Sequence, residues 1–327
     1  MSDFDDILGS ERPEVPNLVV PRAIVPFHLT RAPVRGRLVR LGPLAEALLS
    51  RHPYPLSLRL LLGEALALTA GLASSLKFRG SFSLQIQGNG PVRLLLADAT
   101  ESGELRGTAR FDETGLAALP PMPTARALLG EGYLAFTVDQ GLERDRYQGI
   151  VALEGETLAA MAEAYFRVSE QIPTRIHLAS GLVGGEHRAS ALILQYIPDP
   201  SPNAASETAE GETEEDEAAD DGALGRARFE DAALLAATLR SAELLDDTLP
   251  PETLIARLFA LEGVAIGQAH AAAFGCRCSR SRLRNILESF SPEDLDAMTV
   301  EGAVVMSCEF CHVDFIFPRA ELRGREP

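Results

Sequence analysis

The sequence predicts an α+β fold: a first domain of mostly antiparallel strands with a buried helix, then a helical linker, then a small C-terminal four-cysteine zinc domain. Three observations carry that expectation. Short stretches that alternate apolar and polar residues are joined by hairpin-length turns, which favours antiparallel pairing. Longer helical stretches interrupt them without the regular strand-helix rhythm of a parallel sheet. All four cysteines fall in two close pairs after residue 270.

Taken in order, SFSLQIQGNGPVRLLLAD places Phe82, Leu84 and Ile86 on one strand face, and Gly88-Asn89-Gly90-Pro91 turns the chain. GYLAFTVD repeats the alternation with Leu134, Phe136 and Val138. Helical stretches are predicted at about 43–50, 55–76 and 156–170. The middle one, PLSLRLLLGEALALTAGLASSL from Pro55, is apolar nearly all round and long enough to cross a membrane. Arg59 and Glu64 inside it, with no second span to pair them, favour a helix buried in the first domain.

Further on, Leu235, Leu239 and Ala242 recur at i, i+4 and i+7 in an Ala- and Leu-rich stretch, residues 224–246. Pro250-Pro251 opens another helix with Leu254, Leu258 and Leu261 at the same spacing. Neither helix is long enough to be stable alone, so each needs a surface, and the first domain is the nearest. Ser291-Pro292-Glu293-Asp294 has the form of a helix start, with Ser as N-cap and Pro at the first helical position.

Composition sets the class. The chain has 327 residues, 46% hydrophobic and 24% charged, enough for about two domains and incompatible with collagen-like, wholly disordered or multi-span membrane proteins. Four cysteines are too few for a disulfide scaffold of this size. The opening MSDFDDILGSERPEVP is acidic without an apolar core, so no secretory leader is expected and the protein reads as cytoplasmic with reduced thiols. Nine acidic residues and no basic one fall within 201–222, about half of the net charge of −17. The run reads as a solvated, disordered linker or as an acidic interaction tail, and the overall sign disfavours phosphate contacts. The expected division is therefore 17–198 for the α+β core, 199–223 for an acidic disordered insert, 224–263 for the helical linker and 264–318 for the zinc-binding segment.

Cys276 and Cys278 form a C-x-C, and Cys308 and Cys311 form a C-x-x-C. Two close pairs brought together by folding supply four thiolates in a tetrahedron, the arrangement zinc prefers. A segment of about 50 residues with few large apolar side chains does not hold itself folded, whereas structural zinc contributes roughly 10–16 kcal/mol in small peptides. Oxidation of the thiolates removes the ligands, so the metal leaves and the segment unfolds. Arg277, Arg280, Arg282 and Arg284 crowd the first pair. They could favour thiolates, grip phosphate, or simply form a solvated helix face. His312 and His270 flank the cysteines, but four thiolates make neither necessary. Ser74-Ser75-Leu76-Lys77 matches S-x-x-K without its partner motifs, and no phosphate-binding or zinc-protease signature is present, so no enzyme is expected.

FGCRCSRSRLRNIL (274–287) followed by CEFC (308–311) resembles the redox-switch region of the heat shock protein 33 family, the 33 kDa chaperonin. YQGIVALEGETLAAMAEAYFRVSEQIPT (147–174) is similar to the most recognisable stretch of that family's first domain, and LQYIP (194–198) resembles its closing strand. The resemblance covers about 17–198 and 227–318. The acidic run is longer than the family's usual connection, and Phe315 stands where the family often has Tyr. The resemblance implies an ATP-independent holdase, inactive while reduced and bound to one Zn2+ through Cys276, Cys278, Cys308 and Cys311. It further implies that oxidation forms the disulfides Cys276–Cys278 and Cys308–Cys311, releases zinc and disorders the linker. The protein then dimerises, and an apolar surface binds unfolding client proteins.

The expectation is thus a redox-regulated chaperone with no nucleic-acid or membrane partner. Its rival is a regulatory or nucleic-acid-binding module whose four-cysteine zinc site is purely structural.

Overall fold

The computed structural model describes residues 16–140, 147–198 and 214–324. Strands β1 (Val19–Leu29) and β2 (Val34–Arg40) pair as a hairpin, followed by helices α1 (Pro43–Leu49) and α2 (Leu56–Ala73). A meander of β3 (Ser81–Gly88), β4 (Val92–Thr100) and β5 (Glu104–Phe111) comes next. Short helices α3 (Glu113–Ala117) and α4 (Ala125–Leu129) lead to β6 (Gly132–Asp139) and β7 (Tyr147–Ala152). Helix α5 (Leu158–Tyr165) ends in a π turn, Phe166–Glu170, before the hairpin of β8 (Thr174–Val183) and β9 (Glu186–Tyr196). Phe82, Leu84, Ile86, Leu134 and Phe136 are buried as the alternation requires, while Val138 at the end of β6 is only partly so.

One side of the sheet is covered by the apolar helix α2, buried along most of its length. Its mean hydropathy and 18 residues pass for a membrane span, yet 72% of it lies inside the protein. Glu64 sits on this helix, and burial pushes its carboxyl up to about 7. Strand period 2 sends alternate residues to opposite faces. In β9, Ala189, Ala191 and Ile193 meet the side of α2, whereas Leu192, Leu194 and Tyr196 point the other way.

That second face receives the linker: α6 (Glu214–Ala236), α7 (Ser241–Leu244) and α8 (Pro251–Leu258). Phe229, Ala232 and Ala236 of α6, Leu244, Leu254, Ile255 and Phe259 cover Val25, Phe27, Leu38 and Leu192. Phe27 lies over Gly36, where a Cβ would sit 2.0 Å from its ring, and meets the ring of Phe259 at 5.6 Å between centroids. Arg40, buried at the end of β2, donates from Nε to the Leu244 carbonyl (3.0 Å), from Nη2 to that of Glu243 (2.7 Å) and from Nη1 to that of Leu249.

Three features differ from the sequence reading. The second half of the acidic run, from Glu214, is helical, because Glu and Ala are good helix formers and acidic residues suit a helix N-terminus; residues 201–213 lie outside the described residues. The buried stripes of the linker are also displaced. Ala242 and Leu261 are exposed and α6 breaks after Ala236, since the sheet surface rather than leucine spacing selects the inward positions. Finally, the C-terminal segment does not separate at residue 264. Strands β10 (Val264–Ile266) and β11 (His270–Phe274) belong to the large sheet, whose order is β7-β6-β3-β4-β5-β11-β1-β2-β9-β8, with β10 also pairing with β1. Strand β11 is antiparallel to β1 and parallel to β5, so it joins the two halves of the sheet.

Candidate metal centre

Strand β11 delivers the chain to Cys276 two residues after its end. Beyond the first cysteine pair come α9 (Arg280–Leu287), α10 (Pro292–Met298) and the hairpin of β12 (Ala303–Ser307) and β13 (Asp314–Pro318). Ser279 and Ser291 cap the two helices by accepting from the backbone amides of Arg282 and Asp294. The second cysteine pair occupies the hairpin turn. There the Cys308 amide donates to the Val313 carbonyl (2.9 Å), and the His312 amide donates to that of Cys308 (2.8 Å), with His312 in the left-handed region at φ 54°. Leu287, Leu295, Val304, Phe315 and Phe317 form a small core under these elements.

The four sulfurs meet. Sγ of Cys276 is 3.3 Å from that of Cys278 and 3.6 Å from that of Cys308, and Sγ of Cys278 is 3.6 Å from that of Cys311. All four lie within 4.8 Å of one another, in the reduced state. Four thiolates about 2.3 Å from one tetrahedral ion would lie roughly 3.8 Å apart, so the cluster fits such an ion. Its electrostatics agree. Hydrogen bonding with Cys276 and Cys311, and to the backbone of Cys311 and Phe310, holds the Cys308 thiol far below its ordinary range. Burial, reinforced by Cys276, pushes the Cys278 thiol up to about 12. Contacts with Cys276 and Cys308, together with burial, raise Cys311 as well. On its own the cluster favours the thiolate at Cys308 and opposes it at Cys278 and Cys311; a divalent cation would supply the charge that lets them ionise together. Neither His312 nor His270 joins the sulfur cluster.

The arginines around the first pair are engaged elsewhere. Arg277 Nη2 donates to Asp98 Oδ2 on β4 (3.0 Å), and Arg106 Nε donates to the same oxygen (2.8 Å). Arg280 is buried over the ring of Phe317, 4.5 Å from its centroid, and Arg284 pairs with Glu321 (2.9 Å). Arg282 Nη1 donates to the Arg277 carbonyl (3.1 Å).

The second pair is likewise tied to the core. Phe310, between its cysteines, lies under the Arg106 guanidinium at 4.1 Å, and its carbonyl is 3.1 Å from His52 Nε2. Arg51 Nη1 donates to the Cys311 carbonyl (3.3 Å), and Arg110 pairs with Glu309 (2.8 Å). Burial lowers the His52 pKa, which favours a neutral ring whose Nε2–H donates to Phe310. Sequence reasoning found none of Asp98, Arg106, His52 and Arg51. Their partners lie far along the chain, and no spacing marks them; an aromatic residue inside C-x-x-C was the one available hint of a docking surface.

A predominantly antiparallel α+β domain, wrapped by a helical linker and clipped by a four-cysteine cluster able to hold a metal ion, defines the class of this protein. The chain belongs to the Hsp33 family: residues 23–318 match the family model described as Hsp33 protein. It is similar to the 33 kDa chaperonin of Caulobacter vibrioides (strain NA1000 / CB15N), 40% identical over 301 residues, covering 90% of this chain and 93% of that protein. The 33 kDa chaperonin of Proteus mirabilis (strain HI4320) is 33% identical, covering 92% and 95%. In fold, the chain matches the crystal structure of the 33 kDa chaperonin (Heat shock protein 33 homolog) of Thermotoga maritima with a TM-score of 0.71, at 22% identity over 92% of this chain and 96% of that one.

Proposed function

We propose that this protein is a cytoplasmic, redox-regulated holdase that binds unfolding proteins without ATP and carries out no catalysis. Cys276, Cys278, Cys308 and Cys311 hold one Zn2+ in the resting state. The observation that carries the reading is the position of the cluster: Cys276 follows directly on strand β11, which pairs with β1 and β5, and both cysteine pairs are tied to the core, through Asp98 and through His52. Two equivalents of peroxide take four electrons from the four thiolates and, with four protons from solvent, form Cys276–Cys278 and Cys308–Cys311 and four waters. The pairing is the one that the resemblance to the family implies, each disulfide joining the two cysteines that stand close in sequence. Disulfide sulfurs are poor ligands, so zinc leaves with the order of the small domain.

Undocking of the linker then uncovers the sheet face around Val25, Phe27, Leu38, Leu192 and Leu194. A contiguous apolar face of this kind binds other unfolding chains and a second copy of the protein. The rival nucleic-acid reading rested on free arginines near the cysteines; Arg277, Arg280 and Arg284 have Asp98, Phe317 and Glu321 as partners instead.

The test follows zinc and client protection in parallel. Reduced protein is treated with hypochlorous acid, or with peroxide under mild heating, freed zinc is read with a chromogenic chelator, and each sample is challenged with a thermally unfolding enzyme in the absence of ATP. The reading expects zinc release together with new suppression of aggregation. Zinc release with no protection returns the weight to a structural zinc module.

A further inference from the structure

Strand β11 occupies a slot in which one large side chain, Phe274, is buried in the core beneath Arg51, while its other inward residues are alanines. Its sequence is three alanines between His270 and Phe274. What holds it is largely backbone pairing. The amides of Ala273 and Gly275 donate to the carbonyls of Gly103 (2.9 Å) and Leu105 (2.8 Å) on the β5 side, and the Phe274 amide donates to that of Leu18 (3.0 Å) on the β1 side. Gly103, at φ 82°, allows the closest approach, since a Cβ there would lie 2.4 Å from the Ala271 carbonyl oxygen. A slot recognised through its backbone accepts many sequences in extended form. At its opening a cavity of about 120 Å³, lined by Ile24, Ala73 and Leu105 and by the polar Ser74, Glu101 and His270, leaves room for a side chain larger than alanine.

The strand is also poorly secured apart from its tether. Five residues of pairing are marginal by themselves, and the chain reaches Cys276 immediately after Gly275. When that cysteine leaves its metal, the strand loses its anchored end, and the departure of β11 exposes two facing edges, β1 and β5, rather than one. Helix α2 still spans both halves of the sheet, so the slot has a floor.

We propose that an extended segment of an unfolding client enters this slot and pairs with β1 and β5 in place of β11. The inference rests on the holdase reading and names the bonds by which a client is held: main-chain hydrogen bonds on both sides, with small or apolar side chains facing α2. Such binding is sequence-tolerant and selects chains that have lost their own strand partners, which is the population that aggregates.

A fluorescent peptide with the sequence of residues 268–275, QAHAAAFG, tests it on the full-length protein. The expected result is binding to peroxide-oxidised, zinc-free protein and at least tenfold weaker binding to reduced, zinc-loaded protein. N-methylation at the positions of Ala273, Phe274 and Gly275 should weaken binding to the oxidised protein at least tenfold, and excess unmethylated peptide should abolish client protection. Equal binding of the methylated peptide overturns the inference, as does peptide binding that leaves client protection untouched. Oxidised protein that protects clients but ignores the peptide refutes the slot while the holdase reading stands; oxidised protein that protects nothing refutes that reading itself. A Val19→benzoylphenylalanine variant supplies an independent test: photo-crosslinks after oxidation should reach the client, and crosslinks only to a second copy would mean that a swapped β11 fills the slot instead.

Discussion

Arg277, the residue between Cys276 and Cys278, donates to Asp98 Oδ2 at 3.0 Å, and Asp98 is only 3% exposed. The same carboxylate pairs with Arg106, whose guanidinium covers Phe310 between the other two cysteines. One buried acid on β4 therefore contacts both halves of the cysteine cluster, directly and through Arg106. An ion that ordered the four sulfurs would therefore also order the residues that dock the small domain on the core.

Asp98→Asn should loosen this docking. Removing the charge leaves two guanidinium groups near a neutral amide, at a cost of about 2–3 kcal/mol. Zinc release should then occur at a lower oxidant dose than in the unmodified protein, as read by the chromogenic chelator. Because Asp98 and Arg277 act as a pair, Arg277→Gln should add little to Asp98→Asn, and full additivity would contradict the coupling.

Arg40→Met should free the linker without touching a cysteine. The guanidinium satisfies the carbonyls of Glu243, Leu244 and Leu249, and its loss costs about 3 kcal/mol. In the reduced protein, proteolytic cleavage within 224–263 should accelerate on the order of tenfold or more, with partial client protection before any oxidant is added. An unchanged cleavage rate would place the linker's attachment elsewhere.

Glu64→Gln should change how stability depends on pH. Burial raises this carboxyl from 4.5 to about 7, so between those values the folded protein binds more protons than the unfolded chain. Its contribution is therefore most favourable below about pH 4.5, declines as pH rises towards 7, and is level above that. The glutamine variant should lack this decline and exceed the unmodified protein in stability at pH 8 by about 3 kcal/mol. Urea unfolding at pH 5 and pH 8 measures the difference, and parallel pH profiles for the two proteins would exclude Glu64 as its source.

Cys308→Ser should reduce bound zinc to well under one ion per chain, because a neutral hydroxyl replaces one of the four clustered sulfurs. Metal analysis checks the loss, and circular dichroism should show less ordered structure. Full zinc occupancy in the variant would remove Cys308 from the ligand set.

Much of this was readable in advance, for physical reasons that can be named. Phe82, Leu84 and Ile86 alternate because their strand has one buried face, and two close cysteine pairs are the spacing from which folding can gather four sulfurs within a few ångströms, as it does here. Strand β11 was not readable, since a run of alanines has neither strand nor helix periodicity and its identity comes from the edges of β1 and β5. The linker's inward residues were misjudged for a related reason. Leucine spacing selected Leu261, whereas the shape of the sheet and Gly36 selected Phe259. The contacts from Asp98 and His52 to the cysteine segment join residues more than 170 apart in sequence and exist only once the fold does.

The central claim is that the cysteine cluster holds the linker and β11 on a core that persists without them. Hydrogen exchange resolved by peptide, on reduced zinc-loaded and oxidised zinc-free protein, tests it most directly. The account predicts that amides from 224 to 275 lose protection on oxidation while those of α2, β3, β4 and β9 keep theirs. Retained protection across 224–275 in an oxidised protein that already protects clients would contradict it.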